Sequence, residues 1–145
     1  MIKERDVALV PTFSALRSII DNGSALPARV MDRARVVAAK HQEGIRGAHK
    51  AGVRVAAGTD AGTPFNTHDR FALELVYLAE AGLSSTEALV AATSLAADVV
   101  GRPKAGRISA GMWADLLFVD GDPLRDLALV QQPKAVWLRG VPVAP

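Results

Sequence analysis

The chain has no cysteine in its 145 residues. That absence excludes a disulfide framework and any zinc or iron–sulfur centre held by thiolates. No apolar run reaches the ~18 residues that a membrane helix needs, so no membrane partner is expected. Residues 1–6 are mostly charged and lack the apolar stretch of a signal peptide, so a cytoplasmic location is expected. Net charge is also scarce: 17 Lys and Arg against 15 Asp and Glu leave +2. The basic residues are scattered, and aromatics amount to four Phe, two Trp and one Tyr. A basic face with stacking aromatics is therefore missing, which argues against nucleic acid as a partner. There is no GxSxG around any serine, no HExxH, no phosphate-binding loop and no GxGxxG. What the chain does have is 50% hydrophobic residues, enough for a core. Its length suits one domain of roughly 100–150 residues.

The pattern along the chain alternates strand and helix. Val7-Ala8-Leu9-Val10 reads as a buried strand running into a loop at Pro11 and Thr12. A turn cluster follows at residues 21–24. Residues 28–51 read as helix, with Pro27 in its first turn, Gly44 and Gly47 dividing it into two pieces, and Gly52 at its end. Residues 53–57 form a second short strand, and residues 69–81 a helix that stops at Gly82. Ser84 and Glu87 have capping-box spacing and start another helix, which ends near Gly101 and Pro103. This order implies parallel strands with crossover helices. After Pro103 the character changes to short strand-like pieces at 107–108, 115–119 and 135–138. Two regions are therefore expected: an α/β body over residues 1–103 and a β segment over residues 104–145.

The strongest local feature is Gly58-Thr59-Asp60-Ala61-Gly62. Parallel α/β folds bind ligands outside the carboxyl ends of their strands, and Asp60 stands just past such an end. A carboxylate there can ligate a divalent metal or take a proton from an attacking water. It can equally cap the next helix or close an Asx turn. His68 lies eight positions further on, in the loop before the next helix. It reads either as a substrate-facing residue of the same rim or as a solvated helix start. His41 and His49 are eight apart on one helix, not the three or four a metal pair needs, so they read as packing or surface residues. Asp120-Gly121-Asp122 lacks the other ligands of a calcium loop and reads as a turn, while Trp113 and Trp137 read as packing residues of the β segment.

Four passages together resemble the C-terminal part of the metal-dependent amidohydrolases, closest to the imidazolonepropionase-like and Xaa-Pro-dipeptidase-like branch. They are residues 7–12, residues 48–62, residues 82–101, and the run from Gly106 through Gly111-Met112-Trp113-Ala114-Asp115 and Asp122-Pro123-Leu124 to Gly140. The resemblance implies an α/β fold: the C-terminal portion of a TIM-like (β/α)8 barrel, with its last strands and helices, then part of a β-sandwich. It implies a hydrolase that cleaves amide or other C–N bonds with water activated by a divalent metal, typically zinc. Its substrate would be a small amide or dipeptide-like molecule.

In that family an aspartate after the last barrel strand contacts the metal and accepts a proton from the water, and Asp60 is the residue that matches it. His68 would touch substrate. The family's His-x-His pair and its other histidine ligands have no counterpart here. A catalytic zinc normally takes three protein ligands and a water, so the isolated chain is expected to be inactive. Exposed strand edges are expected as well, inviting self-association into a homo-oligomer. The alternative is a non-catalytic α/β module that assembles with itself or with a partner.

Overall fold

The computed structural model describes residue 5, residues 7–24 and residues 26–143, so most of the charged start at residues 1–6 lies outside the described residues. Strand β1 (Ala8–Leu9) leads into α1 (Phe13–Asn22) and the long α2 (Ala28–Lys50), then into β2 (Arg54–Val55). The two strands pair in parallel, Ala8 opposite Arg54 and Leu9 opposite Val55, as a helical crossover requires. A 3-10 turn at His68–Arg70 opens onto α3 (Phe71–Glu80), followed by α4 (Ser85–Ala92) and α5 (Ser94–Val99). Beyond them β3 (Leu116–Phe118), β4 (Ala135–Leu138) and β5 (Val141–Val143) form an antiparallel three-stranded sheet in the order β3-β4-β5.

The core lies between the strands and the helices. Phe13, Ile45, Val55, Ala57, Leu75, Leu78, Ala81, Leu83, Ala88 and Ala91 form its buried cluster, joined by Leu127 from the β segment. Small residues on α4 let β2 approach closely: the Ala57 N–H donates to the Ala91 carbonyl at 2.9 Å. The helix ends follow local chemistry. Ser84 and Glu87 close a capping box, and the Val53 N–H returns to the Ala48 carbonyl at 3.0 Å across Gly52, whose φ of 78° suits only glycine without cost.

Several elements differ from the sequence expectation. α2 runs unbroken over 23 residues through Gly44 and Gly47. Two interior glycines cost about 2 kcal/mol at most, which the surrounding helical turns and buried Ile45 offset. The helix expected from Ser84 to Gly101 is instead two helices. The chain breaks at Thr93 (φ −120°, ψ −92°), whose hydroxyl donates back to the Leu89 carbonyl at 2.7 Å. The expected strand at 107–108 does not form. Arg107 instead makes a two-pronged contact with Asp98, at 3.2 and 2.8 Å, and Ile108 stands 92% exposed. The helix α1 and the strand β5 have no counterpart among the elements expected from the sequence.

Candidate functional site

The carboxyl ends of β1 and β2 lie side by side, and the loops that leave them form one rim. Gly58 makes this approach feasible, because a Cβ there would come within 2.5 Å of Val10 Cγ1. Three of the four non-glycine residues with positive φ among the described residues sit on this rim: Thr12 at 53°, Asp60 at 55° and Phe65 at 64°. The left-handed region is uncommon for side-chain-bearing residues, least favourable for a β-branched one such as Thr12. Such conformations persist only where neighbouring contacts over-determine them, and they concentrate at functional sites.

Asp60 occupies the exposed crest of the loop. Its main-chain carbonyl is held, while its carboxylate accepts no hydrogen bond among the described residues. The Thr63 hydroxyl donates to the Asp60 carbonyl at 3.1 Å. The Asn66 side-chain amide donates to the carbonyls of Thr59 at 2.6 Å and Asp60 at 3.1 Å. Two backbone bonds close the loop: Gly62 N–H to the Asn66 carbonyl at 2.9 Å, and Asn66 N–H to the Thr63 carbonyl at 3.0 Å. Asn66 itself is only 1% exposed.

The β1 side of the rim is tied by Glu74, which is fully buried on α3. Its carboxylate accepts from the backbone N–H groups of Phe13 and Ser14, each at 2.8 Å, and from the Ser14 hydroxyl at 2.6 Å. It thereby satisfies the otherwise unpaired donors at the start of α1, which has no side-chain cap of its own. Burial pushes the Glu74 carboxyl above the ordinary carboxylate range, opposed by the hydrogen bonds from Ser14 and Phe13.

His68 opens the 3-10 turn on the same loop and is exposed. The structure places it on the rim but gives it no contact with Asp60 among the described residues. Asp69 beside it is held below its ordinary range, chiefly by the Thr67 hydroxyl. His41 and His49 are elsewhere: His41 packs on the Phe13 ring at 4.9 Å, and His49 Nε2 lies 3.6 Å from Glu87 Oε1. A hollow lined by His49, Gly52, Arg54, Leu83, Glu87 and Leu95 opens at the start of β2, the end remote from Asp60.

The donor set does not make a metal centre. Among the described residues no group of three or more His, Cys, Asp or Glu could hold an ion. Asp60 is one carboxylate, short of the three protein ligands of a catalytic zinc. Asn66 and Glu74 were not singled out as site residues from the sequence. Glu74 had one visible signal, a charge inside the apolar run Phe71-Ala72-Leu73-Glu74-Leu75-Val76. Asn66 had none beyond its place in a polar loop.

Known proteins share this architecture. Ochratoxinase from Aspergillus niger is 34% identical over 140 residues, covering 94% of this chain and 28% of that protein. Its crystal structure superposes with a TM-score of 0.80 at 31% identity, over 97% of this chain and 32% of that one. A Xaa-Pro dipeptidase, solved with methionine bound in its active site, gives a TM-score of 0.85 at 29% identity, over 99% of this chain and 36% of that one. An uncharacterised Mycobacterium tuberculosis protein is 35% identical over 143 residues, covering 97% of this chain and 37% of that protein. The chain thus spans about a third of the length of the relatives it matches. The model of the family described as the Amidohydrolase family matches residues 6–143, nearly the whole described chain with both strands and the Asp60 rim, and the chain belongs to that family.

Proposed function

We propose that this chain forms the Asp60-bearing C-terminal part of an enzyme that hydrolyses an amide or other C–N bond. In this reading residues 1–103 are the last strands and helices of a TIM-like barrel, and residues 104–145 a portion of the adjoining β-sandwich. The observation that carries it is the placement of Asp60: an unencumbered carboxylate, in a braced loop, at the carboxyl end of a parallel strand, in a chain of the amidohydrolase family. Ligands in such folds bind at that end of the sheet.

The chemistry assigned to this chain's own residues is limited. The Asp60 carboxylate accepts a proton from the water that attacks the carbonyl carbon. The exposed His68 lies further along the same loop, where it can contact the substrate. Amidohydrolases generally use divalent metals. Zinc is the metal suggested here, and Asp60 is the ligand this chain would contribute. The described residues do not complete such a centre. For the same reason the 145 residues alone are expected to be inactive. The substrate class suggested by the relatives is a small amide or dipeptide-like molecule, since the similar proteins include a Xaa-Pro dipeptidase.

The test compares two polypeptides on Xaa-Pro dipeptides and N-acyl amino acids, with zinc, manganese or cobalt supplied. The chain alone should release no amino acid. The chain joined to a preceding barrel portion from a family member should release it, and Asp60→Asn should abolish the release. Metal-dependent turnover by the 145 residues alone, lost in Asp60→Ala, overturns the inactivity. Turnover by the joined polypeptide that survives Asp60→Asn overturns the role of Asp60.

A further inference from the structure

We infer that Asn66 and Glu74 are positioning residues, each bracing one strand-end loop of the rim: Asn66 sets the loop that carries Asp60, and Glu74 sets the loop that leaves β1 beside it. The inference deepens the reading of Asp60 as the functional carboxylate and rests on it.

Each brace contact falls next to a strained residue. Asn66 follows Phe65 (φ 64°) and donates to the carbonyl of Asp60 (φ 55°). Glu74 accepts from the N–H groups of Phe13 and Ser14, immediately after Thr12 (φ 53°). The two loops they hold leave different strands, and residues 13 and 74 are 61 positions apart. The two bracing side chains are only eight positions apart, and α3 begins between them.

The magnitudes favour a positioning role over generic stabilisation. Left-handed conformations at non-glycine residues are strained, so three on one rim are a substantial local load. A buried carboxylate is a costly anchor where an apolar side chain would pack at no desolvation cost. Asn66 bears a similar penalty, because its Oδ1 is buried with no hydrogen-bond partner among the described residues. A buried polar atom left unpaired keeps the full cost of its lost hydration. Packing alone does not call for either residue, whereas four of the six bonds the two side chains make go to the backbone at 13–14 and 59–60.

The test is NMR on the full chain, without metal or substrate. In the wild type, the Asn66 side-chain amide protons should exchange slowly, and the HN–Hα coupling and Cα shift of Asp60 should report the left-handed conformation. Asn66→Ala should remove that signature. It should also speed exchange of the Gly62 amide by roughly tenfold or more, with core amides of α3 and α4 unchanged. Asn66→Gln, which keeps the donor, should restore part of the protection. Glu74→Gln should leave the Asp60 loop in place while speeding exchange at Phe13 and Ser14.

Two results overturn the brace: rapid exchange of the wild-type Asn66 amide protons, or an unchanged Asp60 signature in folded Asn66→Ala. If Asn66→Ala does not fold, the wild-type measurement still decides. Because no turnover is read, failure of the brace is separable from failure of the hydrolase reading, which Asp60→Asn tests.

Discussion

Residues 7–103 and residues 104–143 have similar proportions of apolar residues, about half in each, but hold them differently. In the first region α3 and α4 bury Leu75, Leu78, Ala88 and Ala91 against β2, and Leu78 and Ala88 have no exposed surface. In the second, Leu127 is the one buried hydrophobic residue among those described. Ile108, Leu117, Leu124, Leu138 and Val141 of the same region are each about half exposed or more. The β3-β4-β5 sheet pairs its three strands in register yet leaves Leu117, Leu138 and Val141 exposed. The difference shows that backbone pairing and core formation are separate achievements. Three antiparallel strands satisfy their ladders locally, but covering a face takes a second layer.

Substitutions in each region test this difference. The largest effect is expected inside the helical region: Leu78→Ala should lower unfolding free energy by about 2–5 kcal/mol in urea titration, since the cavity it leaves is fully enclosed. Next comes the junction. A Cβ at Gly106 would lie 2.5 Å from the Thr93 carbonyl oxygen, at a φ of 78°. Gly106→Ala should therefore cost about 2 kcal/mol and loosen the second region first, visible as faster amide exchange in β3 and β4. Loss of protection in α3 before β3 would contradict that ordering.

Glu74 links the contrast to pH. Burial raises its folded carboxyl above the ordinary value of 4.5, so folding favours the protonated form. The resulting stabilisation is complete below about pH 4.5 and is lost as pH rises through the raised value. Plotted against pH, wild-type stability relative to Glu74→Gln should fall across that window. A flat difference would remove burial as the dominant influence on this carboxyl.

A smaller change is expected from Ser84→Ala, about 1 kcal/mol, because it opens the capping box of α4 while leaving the core in place. Smallest of all, Leu138→Ala on the uncovered sheet should shift stability by about 0.5 kcal/mol or less, as its side chain is 56% exposed. A loss as large as that of Leu78→Ala would mean that the sheet face is covered in solution. Concentration-dependent melting would then identify a second copy of the chain as the cover.

Local rules were legible in the sequence wherever the deciding partner is a few residues away. Ser84 and Glu87 announce their own capping box, Gly52 ends α2, and residues 135–138 form the expected strand. The loop carrying Asp60 and His68 is placed correctly because an apolar strand ends just before it. The strands β1 and β2 are shorter than expected, each two residues long, because their parallel ladder pairs only Ala8 with Arg54 and Leu9 with Val55. The start of α1 was illegible for the opposite reason. Its donors are satisfied by a carboxylate about 60 positions away.

The α4 capping box, the end of α2 at Gly52 and the acidic residue past the second strand were legible in the sequence because each is written in neighbouring residues, and the family resemblance was legible in the order of four passages. Only the tertiary structure decided that Glu74 is buried and that Asn66 grips the Asp60 loop, because those outcomes rest on which distant polar groups must find partners when water is excluded. It likewise decided that the two strand ends abut across Gly58. A missing side chain acquires meaning only when another strand arrives 2.5 Å from where its Cβ would stand.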